Sequence, residues 1–104
     1  MKQYKIQITN EALQDMECIY YCIAQDLLSP ESAIRQYDRI SDAILKLDIF
    51  PEKNRILKFE IERMRLLRRL IVDNYSVFYV IEGDSVIVTN VLYSASDIEL
   101  RLNT

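Results

Sequence analysis

Few residues in this 104-residue chain are equipped for chemistry, and the gaps are informative. There is no histidine. A Ser–His or Cys–His nucleophile pair, which needs a base titrating near neutrality beside the attacking atom, is therefore excluded. The only cysteines, Cys18 and Cys22, stand four residues apart, about one helical turn. A structural zinc site needs two more good ligands, so the expected state is two reduced, partly buried thiols and no metal. Glu60 and Glu62 have the right chemistry for an acid and a base. They alternate with basic residues, however, and read as salt-bridged surface charge. A single glycine excludes a Gly-rich phosphate loop, and no cofactor is expected.

Arginine and tyrosine remain. Residues 53–69 hold Lys53, Arg55, Lys58, Arg63, Arg65, Arg68 and Arg69 against two acids, a balance of +5. The whole chain carries −3, so the rest carries −8. Charges screen over about 8–10 Å at physiological salt, so a segregated patch keeps its own sign. The acidic total speaks against general nucleic-acid affinity, and the patch speaks for one anionic partner surface. Arg68 and Arg69 open a stretch that is apolar thereafter. Neighbouring strand positions point to opposite faces, so one of the pair lies on the solvent side and the other must snorkel or find a carboxylate. A capped, solvated strand edge is the plain alternative. Tyr93 falls beside this strand, and a tyrosine hydroxyl near arginines could bind or deprotonate an RNA group. Packing alone would account for it equally.

These residues must be positioned by two hairpins. Arg65–Val72 and Tyr75–Ile81 read as strands joined at Asp73-Asn74, a pair that tolerates positive φ. Ser85–Tyr93 reads as a third strand, joined to the second through Glu82-Gly83-Asp84. Upstream, Gln3–Ile8 alternates Tyr4, Ile6 and Ile8 with polar residues, a half-buried strand. Thr9-Asn10-Glu11 then starts a helix to about Leu27, with a stripe of Leu13, Met16, Tyr20, Ile23 and Leu27 widened by Ile19 and Cys22. Ser29-Pro30-Glu31 starts another to about Ile49, with a stripe of Ala33, Tyr37, Ile40, Ile44 and Leu47. Pro51 ends it. Residues 52–64 read equally as loop, irregular strand or short helix. Ile98–Leu102 adds a possible short C-terminal helix. The expectation is a single α+β domain over 1–104. Its order is β-α-α-β-β-β, with a helix hairpin packed on a four-stranded, mostly antiparallel sheet.

The blocks Tyr4–Thr9, Phe50-Pro51-Glu52, Arg68–Tyr79 and Val91-Leu92-Tyr93 with Asp97 resemble the RelE/ParE superfamily of bacterial type II toxins. The likeness runs along nearly the whole chain. Its most specific part is Arg68-Arg69-Leu70-Ile71-Val72, then Asn74-Tyr75 and Phe78-Tyr79. The resemblance implies a toxin that arrests growth and is neutralised by a cognate antitoxin. ParE-like members inhibit DNA gyrase. RelE-like members cut mRNA on the ribosome with basic residues and a C-terminal tyrosine or histidine. Here that set would be Arg65, Arg68, Arg69 and Tyr93. Nuclease members often carry arginine just after the central turn, where this chain has Ser76. ParE-like members often carry Arg-Arg before the aspartate matching Asp97, where this chain has Ala95-Ser96. The ParE-like reading is favoured, with the 53–69 patch meeting antitoxin or target. The alternatives are the ribosome-dependent endoribonuclease and a degenerate toxin that only binds antitoxin. Sequence-specific DNA binding is not expected without the antitoxin. No run of apolar residues is long enough for a membrane span, and no apolar signal core follows Met1, so a cytoplasmic protein is expected.

Overall fold

The computed structural model describes residues 2–26, 28–57 and 66–95. The elements are β1 (Lys5–Ile8), α1 (Asn10–Asp26), α2 (Pro30–Leu45), two single-turn 3-10 helices (Lys46–Asp48 and Pro51–Lys53), β2 (Arg68–Val72), β3 (Tyr75–Glu82) and β4 (Ser85–Tyr93). The order is the expected β-α-α-β-β-β, and the class is α+β. The sheet runs β1-β4-β3-β2. β4 and β2 flank β3 antiparallel, while β1 lies parallel to β4. The C-terminal helix expected at Ile98–Leu102 lies outside the described residues.

Local chemistry explains the element ends. The Thr9 hydroxyl accepts the N–H of Ala12 at 3.1 Å and caps α1. The Ser29 hydroxyl accepts the N–H of Ser32 at 3.4 Å, with Pro30 at the first helical position of α2. α2 was expected to reach Ile49 and instead tightens into a 3-10 turn after Leu45, a common way to finish a helix. Both hairpins turn on two residues. Asp73 and Gly83 take the left-handed conformation there, at φ 55° and 57°.

One core lies between the helices and the sheet. It gathers Met16, Ile19, Ile40 and Ile44 against Val77, Tyr79, Val86 and Val88. A smaller cluster of Leu67, Phe78 and Leu92, with Leu57 and Val80 against it, covers the other sheet face. β3 is therefore buried on both sides, which is why Tyr75–Ile81 is apolar almost without interruption. The helices thus cover one face of the sheet, and the smaller cluster covers the other at β3. Two details of α1 also change. Leu13 is 42% exposed, and the inward line begins at Ala12 instead. Alanine lets the helix sit close to the sheet, which rotates the stripe by one residue. Cys18 and Cys22 are exposed, not partly buried. α1 is tied to the sheet at the β3–β4 register shift, where Asp15 accepts the N–H of Val91 at 2.9 Å.

Candidate functional site

The two adjacent arginines leave β2 on opposite faces. Arg68 pairs in register with Tyr79 and Arg69 with Phe78. Arg68 lies on the helix side and grips the preceding loop at Glu52–Asn54 by its backbone. Its guanidinium donates to the carbonyls of Glu52 at 3.0 Å and Asn54 at 2.7 Å. The partner is thus a pair of carbonyls, where snorkelling or a carboxylate was expected. Tyr79 completes this latch. Its hydroxyl donates to the Pro51 carbonyl at 2.7 Å and accepts from the Asn54 amide at 2.9 Å. Burial pushes the Tyr79 hydroxyl above its usual pKa, while the Asn54 hydrogen bond and the Arg68 charge pull it back. The loop needs such a clamp because Phe50 adopts φ 54° immediately before a proline, a region side chains resist.

Arg69 emerges on the far face. Its Nε donates to the Ser76 hydroxyl at 2.8 Å, and its guanidinium lies 5.9 Å from the Phe78 ring centre. Ser76 is fully buried and shares a second bond of 2.7 Å with the Ser94 hydroxyl. Ser76 is therefore a buried polar hub between Arg69 and Ser94.

Lys53, Arg55 and Arg69 converge on one cleft of about 450 Å³ floored by Leu57, Leu70 and Ile71. Among the described residues, the Lys53 and Arg55 side chains make no ion pair or hydrogen bond, so their charge is left to solvent. A second cleft of about 390 Å³ flanks the same stretch of β2 on the helix side, with Arg39 and Lys46 balanced in its wall by Asp42 and Asp73. Arg39 reaches across to Asp73 at 2.8 Å and secures the hairpin turn. Of the predicted patch, Lys53, Arg55 and Arg69 share a site, and Arg68 has a framework role. Lys58, Arg63 and Arg65 lie outside the described residues.

Tyr93 does not join them. It stacks edge-on against Tyr75, ring centres 5.7 Å apart, beside a cleft of about 430 Å³ that also takes in Cys18, Ile19 and Cys22. That is the helix side of the sheet, across from Arg69. Burial, with Cys22 and Tyr93 nearby, raises the Tyr75 pKa. The described residues therefore hold arginine apart from Tyr93. Sequence reasoning overlooked the latching role of Tyr79 and Asn54. Contacts across 25 and 28 residues leave no local pattern to find. The lone serine in the apolar β3 run was the signal for the Arg69 anchor.

Among the described residues no helix is long and apolar enough to cross a membrane, and no cluster of three cysteine or acidic side chains is placed to hold a metal ion. The family model described as ParE toxin of type II toxin-antitoxin system, parDE, matches residues 6–98. No curated protein matches the sequence significantly. Among solved structures, a chain of the chromosomal ParDE toxin–antitoxin system from P. aeruginosa superposes with a TM-score of 0.73 at 17% identity. The match covers 88% of this chain and 96% of that one. Identity that low speaks for the fold alone; the family match extends along the sequence itself. The chain belongs to the ParE toxin family of type II toxin–antitoxin systems.

Proposed function

We propose that this chain is a single-domain toxin that arrests growth in the bacterial cytoplasm by binding an essential protein, with DNA gyrase as the target. An antitoxin would neutralise it by covering the basic face at Lys53, Arg55 and Arg69. One observation supports binding over cleavage. Arg68 is committed to loop carbonyls and Arg69 to Ser76, while Tyr93 lies across the sheet from Arg69. In-line phosphoryl chemistry needs charge stabiliser and proton shuttle within hydrogen-bond reach of one reacting group.

The basic cleft supports a second reading, a ribosome-dependent mRNA endoribonuclease, because Lys53, Arg55 and Arg69 could hold an RNA phosphate. The test has three arms. The chain is induced alone and together with its neighbouring gene, and growth is scored. Purified chain is added to a gyrase supercoiling assay and, separately, to a translation reaction read by primer extension. Arrest relieved by the neighbour, with supercoiling inhibited, is the expected result. Cuts phased to codons and lost in Arg69→Ala would move the assignment to the nuclease. Unimpaired growth, with the neighbouring protein still bound, would identify a degenerate toxin that only binds antitoxin.

A further inference from the structure

Between α1 and α2, at the surface, lies a small corner that neither the basic face nor the Tyr79 latch uses. Tyr20 comes from α1, and Ile34, Tyr37 and Asp38 come from α2. The four line one cleft of about 160 Å³. The Tyr20 and Tyr37 rings stand at 89° to each other, with centres 6.4 Å apart. Tyr21 meets Tyr20 edge-on at 5.5 Å and braces that ring. Both lining tyrosines are half-buried, and Tyr37 also packs against the main core, so the rings are set before any ligand arrives.

Size and lining select the ligand. A drug-sized molecule needs a cleft of roughly 300 Å³ or more, so only a small group fits here. Aromatic faces carry negative charge density, and two such faces at right angles attract a cation lodged between them. Asp38 adds a full negative charge. Among the described residues its carboxylate makes no hydrogen bond or ion pair. No lysine or arginine lines the cleft, and α1 contains none at all. A primary ammonium is strongly hydrated and would need hydrogen-bond acceptors on several sides. Walls made of two rings and an isoleucine suit instead a cation whose charge is sheathed in methyl groups.

We propose that the corner formed by Tyr20, Tyr37 and Asp38 binds a small quaternary ammonium cation, a molecule with a trimethylammonium head. The methyl groups lie against the two ring faces and against Ile34, which is 50% exposed in the free chain, while Asp38 offsets the charge. Neither tyrosine hydroxyl is required, because the attraction comes from the rings. The site shares no residue with the cleft of Lys53, Arg55 and Arg69, and it stands whether or not the chain proves to be a toxin.

The probe is choline, titrated into the full chain while backbone amide shifts are followed by NMR, against sodium chloride at matched ionic strength. The comparison compound is its uncharged isostere, with a tert-butyl group in place of the trimethylammonium head. It has the same shape and no charge. Choline is expected to give saturable shifts centred on Tyr20, Ile34, Tyr37 and Asp38, with a dissociation constant on the order of millimolar, and the isostere to bind at least about tenfold more weakly. Asp38→Asn and Tyr20→Leu should each weaken choline binding at least about fivefold, whereas Tyr20→Phe, which keeps the ring, should bind as the parent does. Equal binding of choline and its isostere overturns the cation site and leaves an apolar dimple. Undiminished binding by Tyr20→Leu overturns it as well. Shifts no larger than those from sodium chloride overturn the site altogether. The isostere and salt comparisons use the parent chain, so neither depends on a variant folding.

Discussion

Tyr79→Phe isolates one oxygen atom at the centre of the latch. The ring stays in the core, so neither a cavity nor a charge is introduced. Two hydrogen bonds disappear, to Pro51 and from Asn54. The Pro51 carbonyl is left in a buried residue, where an unmet acceptor costs about 1–3 kcal/mol. The Asn54 amide is only part-buried and can turn to water, so it adds little. A loss of about 2 kcal/mol follows. For a chain of this size about 1 kcal/mol moves the melting temperature by roughly 4–8 °C, so the expected drop is roughly 8–16 °C at pH 7. The assay is thermal unfolding followed by circular dichroism, with Tyr4→Phe as control, because that hydroxyl meets Glu52 at an exposed site. The pH dependence supplies a second readout. Burial keeps the Tyr79 proton bound in the folded state above pH about 10, where an unfolded tyrosine releases it. Its contribution is whole below that pH and fades as pH rises through the folded value. Tyr75 is raised in the same direction, so the variant should keep part of the alkaline loss, less than the parent shows. A Tyr79→Phe melting point within about 2 °C of the parent, or identical alkaline slopes, would refute the latch.

Three further outcomes are expected. Arg68→Ala should destabilise by about 1–2 kcal/mol, because two carbonyls lose a charged donor at a part-exposed site, and amide exchange should quicken over residues 51–55. Arg68→Lys should restore less than half, since one ammonium cannot reproduce the fork. Ser76→Ala should cost about 1 kcal/mol, whereas Ser76→Arg should cost more than about 3 kcal/mol by overpacking a fully buried position, read by urea titration. Gly83→Ala should cost about 1 kcal/mol from backbone strain alone, because φ is +57° and nothing lies within 4 Å of the new methyl group.

The architecture was legible because local signals agreed with one another. Capping residues stood where α1 and α2 begin, and the apolar run Tyr75–Ile81 marked the strand buried on both faces. Alternation also forced Arg68 and Arg69 apart, which the register bears out. What failed was of a different kind. Leu13 and Ala12 compete for the same helical face, and only the closeness of the sheet decides between them. The outward position of Cys18 and Cys22 follows from the same rotation. The site was half legible. Clustered basic residues showed the patch, but not that Arg68 is spent on carbonyls or that Tyr93 sits behind the sheet. Those depend on pairings across many residues.

The parallel pairing of β1 with β4 has a kinetic consequence. Lys5 meets Ser85 and Ile8 meets Val88, so the first of the described strands pairs with the last of them. On the ribosome β1 must wait, unpaired, until β4 has been synthesised. The α1–α2 hairpin, built from near neighbours, can form long before. Completion of the sheet is therefore coupled to the synthesis of β4. A product terminated before Ser85 lacks the strand that β1 requires and cannot present the finished sheet.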